Sequence, residues 1–205
     1  MNWKTFFQNS KTRTEFILTI ILIVPLLIAF SQFLLFVEAR NGVILNDPIL
    51  KIFNPIDLTW FIFSLIYISL ILFIISSIKD PNKIMIALQS YGLMVIFRII
   101  AMYITPFDAP QKLILLNDPF VQLFGKGNIL TKDLFFSGHT ATLFLLYLLT
   151  DNRKLKLFFL SATILVGFSV LLQQVHYSID VFVAPFISYG SYRIIKKLHI
   201  QKIQF

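Results

Sequence analysis

The chain has 205 residues, of which 57% are hydrophobic and 14% charged, and it carries a formal net charge of +8. Soluble domains usually contain about 25% charged residues, so this composition excludes a soluble globular protein. The basic residues fall in short clusters between apolar runs, which argues against a nucleic-acid partner, and the absence of cysteine excludes disulfides and thiolate chemistry.

Six apolar segments are each predicted to form a transmembrane helix, because about 20 apolar residues cross about 30 Å of hydrocarbon. They are residues 16–37, 58–78, 84–104, 135–149, 157–172 and 181–195. The first run is too long for a signal-peptide core, so we interpret it as an uncleaved span. The expected fold class is therefore all-α integral membrane, a six-transmembrane-helix bundle forming one membrane domain over residues 1–205.

The distribution of Lys and Arg predicts the orientation of the bundle. With the N-terminus in the cytoplasm, twelve basic residues lie on the inner side and five on the outer side. Residues 1–15 are then a cytoplasmic N-terminal segment, and residues 196–205 are a cytoplasmic tail. The longest outer connection, residues 105–134, contains the apolar patches 113–116 and 120–124, which we expect to lie at the lipid interface.

Two of the three histidines are predicted to meet. His139 begins the fourth span and His176 precedes the sixth. Both spans descend from the outer side, so the topology alone brings the two side chains to the outer membrane face. The loop of residues 105–134 leads to His139 and is accordingly predicted to be an outer active-site loop. His199 lies in the basic C-terminal tail, where we interpret it as a solvated residue.

An aspartate follows His176 at helical spacing. Asp180 is four residues further on, so in a helix the two side chains share a face within hydrogen-bonding reach. A carboxylate in that position holds the tautomer of an imidazole and raises its basicity, as in catalytic triads. The alternative is that Asp180 only caps the sixth helix, where negative charge is favourable.

Three further residues are candidates for binding a phosphate group. Ser137 and Gly138 precede the fourth span, and free N–H groups at a helix start favour anions. An ordinary helix cap is the alternative for this pair. Arg98 lies inside the third span, and an intramembrane charge indicates a function by default. Its alternative is an arginine that extends to the lipid headgroups.

A metal site is a rival interpretation of the same side chains. Two histidines with Asp180, and Asp133 as a fourth partner, could hold zinc, which usually takes three or four ligands. The chain has no cysteine and no third outer histidine, so we favour a site without a metal.

Residues 133–140 (Asp-Leu-Phe-Phe-Ser-Gly-His-Thr) and 176–181 (His-Tyr-Ser-Ile-Asp-Val) resemble the type 2 phosphatidic acid phosphatase (PAP2) superfamily. They are most similar to its sphingomyelin synthase branch, which typically shows Asp-aromatic-Phe-Ser-Gly-His-Thr followed by His-Tyr-Thr-(Val/Ile)-Asp-Val. Ser178 stands here in place of the threonine. Residues 97–106 also resemble that branch, and the similarity extends over roughly residues 98–195.

The resemblance implies a mechanism and a set of roles. His176 would attack phosphorus and form a phosphohistidine, Asp180 would hold His176, and His139 would protonate the departing alkoxide. The expected substrate- and phosphate-binding residues are Arg98, Asp133, Ser137, Gly138 and Tyr177. The expected partners are a membrane phospholipid donor and a lipid or water acceptor, with no cofactor; the oligomeric state stays open.

Two departures from the pattern of the phosphatase branch bear on the type of reaction. The phosphatase branch has an Arg-Pro pair and an arginine six residues before the nucleophilic histidine, where this chain has Arg98-Ile99 and Val170. Fewer cations suit a singly charged phosphodiester, so headgroup transfer is favoured. The alternatives are a phosphomonoesterase acting on phosphatidic acid or polyprenyl pyrophosphate, and a non-catalytic scaffold or transporter. Richness in Ile, Phe, Lys and Asn is typical of AT-rich bacterial genomes and favours a bacterial inner membrane.

Overall fold

The computed structural model describes residues 2–118 and 130–203, with side chains through residue 200. Within these ranges the regular elements are helices, apart from an isolated bridge between Val43 and Phe107. The helices are α1 (Trp3–Gln8), α2 (Ser10–Ala39), α3 (Thr59–Ser77), α4 (Pro81–Ile104), α5 (Gly138–Leu149), α6 (Arg153–Leu172) and α7 (Ser178–Ile203). The all-α prediction is confirmed.

Each predicted span coincides with one of the helices α2 to α7. In the described part of the chain, α2, α3, α4 and α6 are long and apolar enough to cross a membrane, whereas α5 has only 12 residues. The six-span count therefore stays a prediction. Helix α7 continues to Ile203, through most of the predicted tail, because its C-terminal half is charged but still helix-forming. Helix α2 likewise begins inside the predicted N-terminal segment.

The outer surface of the helices is apolar. Large side chains that a soluble protein would bury are well exposed, among them Leu22, Trp60, Phe168, Phe182 and Phe186. A continuous apolar surface of this kind needs a non-aqueous environment. The helix exteriors therefore agree with an integral membrane protein.

Helix α5, the shortest of α2 to α7, lies at the centre and packs against α3, α4, α6 and α7. Gly167 lets α6 approach closely, since a Cβ there would lie 3.0 Å from Val181 Cγ1 and 3.6 Å from Thr140 Cγ2. Ser188 of α7 donates a hydrogen bond to the carbonyl of Ala141 at 3.0 Å. Small and hydroxyl-bearing residues are the usual means of close packing between helices in membranes.

The inner turns are closed by side-chain caps. Asp80 accepts a hydrogen bond from the Lys83 amide at 3.3 Å, and Pro81 occupies the first turn of α4, where its missing N–H costs nothing. Asn152 accepts from Lys154 N at 3.0 Å and caps α6 in the same way. These caps satisfy main-chain amides at the starts of α4 and α6.

The prediction for His199 is wrong. Its side chain is only 16% exposed, its Nε2 lies 2.7 Å from Gln89 Oε1, and Glu15 Oε1 lies 3.5 Å away. Gln89 also donates to Thr19 Oγ1 at 2.9 Å. Helix α7 extends far enough to bring His199 against α2 and α4, where the polar groups satisfy one another at the inner end of the bundle.

Part of the loop of residues 105–134 also lies elsewhere than predicted. Leu113 and Leu116 were expected at the lipid interface, but they pack against the main apolar core instead. The amide of Ile114 donates to the carbonyl of Gln173 at 3.1 Å, which draws this stretch inward. The other apolar patch, residues 120–124, lies outside the described residues.

Candidate active site

The two histidine motifs meet at one end of the bundle, the end that the distribution of Lys and Arg predicts to face outward. The amide of Ser137 donates a hydrogen bond to the main-chain carbonyl of Asp180 at 3.1 Å, which ties the start of α5 to the first turn of α7. The ring centroids of His139 and His176 are 6.3 Å apart. The two imidazoles are therefore neighbours, although they lie about 37 residues apart in sequence.

Asp180 both orients His176 and caps α7. Its Oδ2 lies 3.2 Å from His176 Nδ1 and accepts the amide of Tyr177 at 3.1 Å. Both side chains are buried, so little water competes for these bonds. With Nδ1 held by the carboxylate, Nε2 is the ring nitrogen left for a substrate. The two interpretations of Asp180 are thus compatible, since one oxygen serves both.

His139 occupies the first turn of α5, and its ring packs edge-on against Phe63 at 5.8 Å between centroids. Its Nδ1 is enclosed and has no hydrogen-bond partner among the described residues. The ring nevertheless lines a cavity near the site. Its Nε2 is therefore the nitrogen available to accept or deliver a proton there.

Arg98 crosses from α4 to the start of α5. Its Nη2 lies 2.7 Å and its Nε 3.2 Å from Asp133 Oδ1, and its side chain is only 10% exposed. The guanidinium covers Gly138 so closely that a Cβ at this position would overlap it. The glycine is needed for the arginine, and Arg98 is held inside the protein rather than extended to the headgroups.

Ser137 acts as the cap of α5. Its Oγ accepts the Thr140 amide at 3.4 Å and the Thr140 hydroxyl at 3.1 Å. Ser137 is fully buried. The ordinary-cap alternative thus describes its hydroxyl, and phosphate binding by Ser137 and Gly138 stays a prediction.

Tyr177 points away from the two histidines, into the outer loops. Its hydroxyl donates to the carbonyl of Asp108 at 2.8 Å and accepts the amide of Leu45 at 3.2 Å. The ring is buried against Phe107. These contacts indicate that Tyr177 joins the two outer loops to the His176 segment, and a contact with substrate stays a prediction.

Sequence reasoning missed two glutamines that hold the His176 segment. Gln173 is fully buried; its Oε1 accepts the Leu58 amide at 3.1 Å and its Nε2 donates to Thr59 Oγ1 at 2.9 Å. Gln174 donates to the carbonyl of Leu50 at 3.0 Å. The sequence did offer one signal for them. Two uncharged amide side chains directly follow an apolar span, at a place where a solvated turn would more often carry charged residues.

Two carboxylates on the first outer loop and its preceding helix were also missed. Glu38 accepts the amides of Thr131 and Lys132 at 2.8 and 2.9 Å, which fixes the segment just before Asp133. Asp47 accepts the amide of Ser178 at 2.6 Å and so caps α7 from a distant loop. Both partners are main-chain groups, which no residue pattern identifies.

Burial alone would raise the pKa of the Asp47 carboxyl. The hydrogen bonds from Ser178, Ile49 and Leu50 outweigh burial and hold that pKa below its usual value. Asp47 is therefore charged over the physiological range, and it places a negative charge at the start of α7.

A cavity of about 310 Å³ adjoins the site between α2, α3, α4 and α5. Its polar end is formed by Arg98, Asp133 and His139, and most of its remaining wall is apolar. The cavity has the size and lining of a small-molecule site. Residues 2–118 and 130–203 contain no cluster of three or more His, Cys, Asp or Glu that could hold a metal ion.

Comparison with known proteins gives a family and a fold. Residues 132–198 match the model described as "PAP2 superfamily C-terminal". The crystal structure of LpxE from Aquifex aeolicus is similar over 82% of this chain and 93% of that chain, with a TM-score of 0.51 and 20% sequence identity. At this identity the likeness shows a shared fold. No curated protein matches the chain.

The matched residues 132–198 contain both histidine motifs, so the resemblance to the PAP2 superfamily is confirmed. Its sphingomyelin synthase branch is not distinguished by these findings.

Proposed function

We propose that the protein is a membrane enzyme that cleaves a lipid phosphoester through a phosphohistidine, and that it passes the phospho-headgroup to a second acceptor. The observation that carries this proposal is the pair of facing imidazoles, one of which has its Nδ1 on a buried carboxylate. Attack on phosphorus needs about 3 Å from the nucleophile, and proton transfer needs a hydrogen bond of about 3 Å. The ring centroids of His139 and His176 are 6.3 Å apart, which is close enough for one phosphoryl group to contact both rings.

The proposed reaction has two steps. In the first, Nε2 of His176 bonds to phosphorus, the bond from phosphorus to the lipid alkoxide breaks, and His139 gives the alkoxide its proton. In the second, His139 takes a proton from water or from a lipid hydroxyl, whose oxygen bonds to phosphorus and releases His176. Asp180 stabilises the positive charge that the His176 ring carries while phosphorus is attached.

The charge of the site supports a phosphodiester donor. Arg98 already pairs with Asp133, so the pair offers little net positive charge to a phosphate. Val170, at the position where the phosphatase branch carries an arginine, is fully buried in the apolar core. A phosphodiester carries one negative charge and needs fewer cations than a monoester. Transfer of a headgroup, as in the sphingomyelin synthase branch, is therefore the favoured reaction.

A lipid phosphomonoesterase is the second candidate. The superfamily match and the fold shared with LpxE, a phosphatase, fit this reaction equally well. A monoester's second charge would then be met by the first-turn amides of α5. A non-catalytic scaffold or transporter is the outcome if no lipid is turned over.

We further propose a bacterial inner membrane location with both termini cytoplasmic and the site facing outward. The support is the excess of basic residues on the inner side of the bundle. Accessibility of introduced cysteines in intact cells tests this, since the native chain has none. Labelling of a cysteine at position 44 but not at position 154 by an impermeant reagent is the expected result.

The function is tested with purified protein in detergent and a panel of radiolabelled phospholipids, with and without ceramide or diacylglycerol, and products separated by thin-layer chromatography. Label moving onto an added acceptor supports a transferase, and release of water-soluble phosphate or phospho-headgroup supports a hydrolase. The matched variants are His176→Gln, expected to lose all turnover, and His199→Gln at the inner end, expected to keep it. Full activity of the His176→Gln protein would refute the mechanism.

A further inference from the structure

The end of the bundle away from the two histidines is strongly basic. Among the residues whose side chains the structure describes, the basic ones at this end are Lys4, Lys11, Arg13, Lys79, Lys83, Arg153, Lys154, Lys156, Arg193, Lys196 and Lys197. The acidic ones at this end are Glu15, Asp80 and Asp151. At the histidine end, acidic residues outnumber basic ones in the same described ranges. The two ends therefore carry charge of opposite sign.

Four exposed cations at the basic end have no anionic partner in the described part of the chain. They are Lys4, Lys11, Arg13 and Lys79, which we call the basic collar. The three acidic residues at this end are engaged elsewhere. Asp151 pairs with Lys83 at 2.5 Å, and Asp80 caps α4. Glu15 accepts a hydrogen bond from Gln89 at 3.2 Å. An anion from outside the chain can therefore approach the basic collar without competition from these carboxylates.

Helix α1 gathers the basic collar at one place. Trp3 Nε1 donates a hydrogen bond to the carbonyl of Ile78 at 2.6 Å, which holds α1 against the end of α3. One member of the basic collar follows the donor in sequence, and another follows the acceptor. Thr12 Oγ1 donates to the carbonyl of Phe6 at 2.5 Å and ties α1 to the first turn of α2, where the other two members flank Thr12.

An aromatic cluster lies beside the basic collar. The rings of Trp3, Phe6, Phe7 and Phe16 contact one another in every pairing, with centroids 5.5 to 5.9 Å apart. Phe7 is still 39% exposed. Just beyond the cluster, α2 and α3 expose the apolar side chains of Ile17, Leu18, Ile74 and Ile75. Aromatic rings and basic side chains at the edge of an apolar surface are typical of the level of the lipid headgroups.

We propose that the basic collar and the aromatic cluster form a docking surface for phospholipids whose headgroups carry a net negative charge. The cations contact the phosphates, and the exposed edges of the rings lie among the upper parts of the acyl chains. Each Lys or Arg near an anionic leaflet strengthens the attraction about fivefold, whereas a zwitterionic headgroup offers no net charge. The inference goes beyond the proposed function, because this surface lies at the other end of the bundle from the histidines and takes no part in the reaction.

The two tryptophans of the chain make a local test possible. Trp3 lies at the basic end, and Trp60 lies at the other end of α3, about 27 Å away along the helix. Trp60→Phe leaves Trp3 as the only reporter, and Trp3→Phe leaves Trp60. Each protein is reconstituted in vesicles of phosphatidylcholine and phosphatidylglycerol, one of which is brominated on its acyl chains and quenches tryptophan fluorescence on contact. Exchanging the brominated lipid gives the lipid preference at each tryptophan.

At Trp3 we expect a preference of about fivefold or more for phosphatidylglycerol, which carries a net negative charge. This preference should weaken as salt is added, because exposed charges are screened. At Trp60 no preference for the anionic lipid is expected, since that end carries the excess of acidic residues.

Two double variants in the Trp60→Phe protein assign the preference to the basic collar. Lys4→Gln/Lys79→Gln removes two of its four cations and is expected to lose most of the preference at Trp3. Lys51→Gln/Lys112→Gln removes two exposed cations at the histidine end and is the matched control. It is expected to keep the preference of the parent protein.

Three results would overturn the docking surface while leaving the enzyme as proposed. They are equal quenching of Trp3 by both brominated lipids, an equal preference at Trp3 and Trp60, and a preference that Lys4→Gln/Lys79→Gln leaves unchanged. The converse result is also distinct. A protein that shows the preference at Trp3 but turns over no lipid keeps the docking surface and loses the proposed function.

Discussion

The guanidinium of Arg98 lies directly over Gly138, in the volume that a side chain at position 138 would need. Gly138→Ala therefore forces Arg98 to move or to break its hydrogen bonds with Asp133. A displacement of about 1 Å at a reacting site is enough to lower the rate by about 100-fold. We expect kcat/KM to fall at least tenfold in this variant, measured with the phospholipid that the wild type turns over.

Gly190→Ala is the matched control, since nothing lies within 4 Å of a Cβ at that position. It lies inside α7, where alanine is favoured over glycine by up to about 1 kcal/mol. Activity is expected to stay unchanged and the melting temperature to stay equal or rise. Equal activity of the Gly138→Ala and Gly190→Ala proteins would show that the position of Arg98 does not matter to the reaction.

Asp180→Asn tests the orientation of the nucleophile. The asparagine oxygen can still accept the Tyr177 amide, so the cap of α7 is retained, but the charge that supports His176 is lost. We expect kcat to fall by about 1,000-fold or more, by analogy with the loss of the aspartate charge in catalytic triads. The thermal melting curve should change little.

Asp151→Asn serves as the control for Asp180→Asn, because Asp151 lies at the inner face and is 86% exposed in its pair with Lys83. It is expected to keep wild-type kcat. An Asp180→Asn protein with more than a tenth of wild-type kcat would argue that Asp180 acts only as a cap.

Gln173→Ala tests the support of the His176 segment. The substitution leaves the Leu58 amide and the carbonyl of Ile114 without their side-chain partner in a part-buried place. Unpaired buried groups cost about 1 to 3 kcal/mol each, so a loss of about 2 to 4 kcal/mol is expected. Thermal unfolding in detergent measures it, and Gln111→Ala on the exposed part of the loop should have almost no effect. Equal melting temperatures for the two variants would contradict this role for Gln173.

Asp47 gives the protein a defined response to acid. The pKa of this carboxyl is lower in the folded protein than in the unfolded chain, so the folded state binds fewer protons. The stabilisation is fully present above about pH 4, the usual pKa of an aspartate, and is lost as the pH falls through the lower folded pKa. The difference in melting temperature between wild type and Asp47→Asn should therefore be largest near neutral pH and shrink below about pH 4. A difference that grows in acid would reverse the assigned direction.

The positions of His139, His176 and Asp180 could be predicted from the sequence better than the residues that hold their segments in place. His139, His176 and Asp180 follow from the alternation of spans and from helical spacing, both of which are local properties of the sequence. Gln173 and Glu38 could not be predicted, because most of their partners are main-chain groups of residues that are distant in sequence. His199 was misjudged because the length of α7 depends on contacts with α2 and α4 rather than on composition.

The number of membrane-spanning helices shows a different limit of prediction from the sequence. Helix α5 is apolar but has only 12 residues, so it is too short to be recognised as a membrane-crossing helix, although it lies at the centre of the bundle. Other helices surround it on four sides, so its length is set by packing rather than by the thickness of the hydrocarbon.

The hydrogen bond from Ser137 N to Asp180 O joins the two histidine segments through main-chain atoms alone. Substitution of a side chain removes neither the amide of Ser137 nor the carbonyl of Asp180. Most side-chain changes elsewhere in the chain therefore leave this link between the two segments in place. The apolar part of the cavity wall on α3, which includes Ile66 and Leu70, makes no such link between the two segments. Libraries that vary this wall can therefore alter the range of lipids accepted while the reaction chemistry is inherited intact, which makes the scaffold suitable for directed changes of substrate.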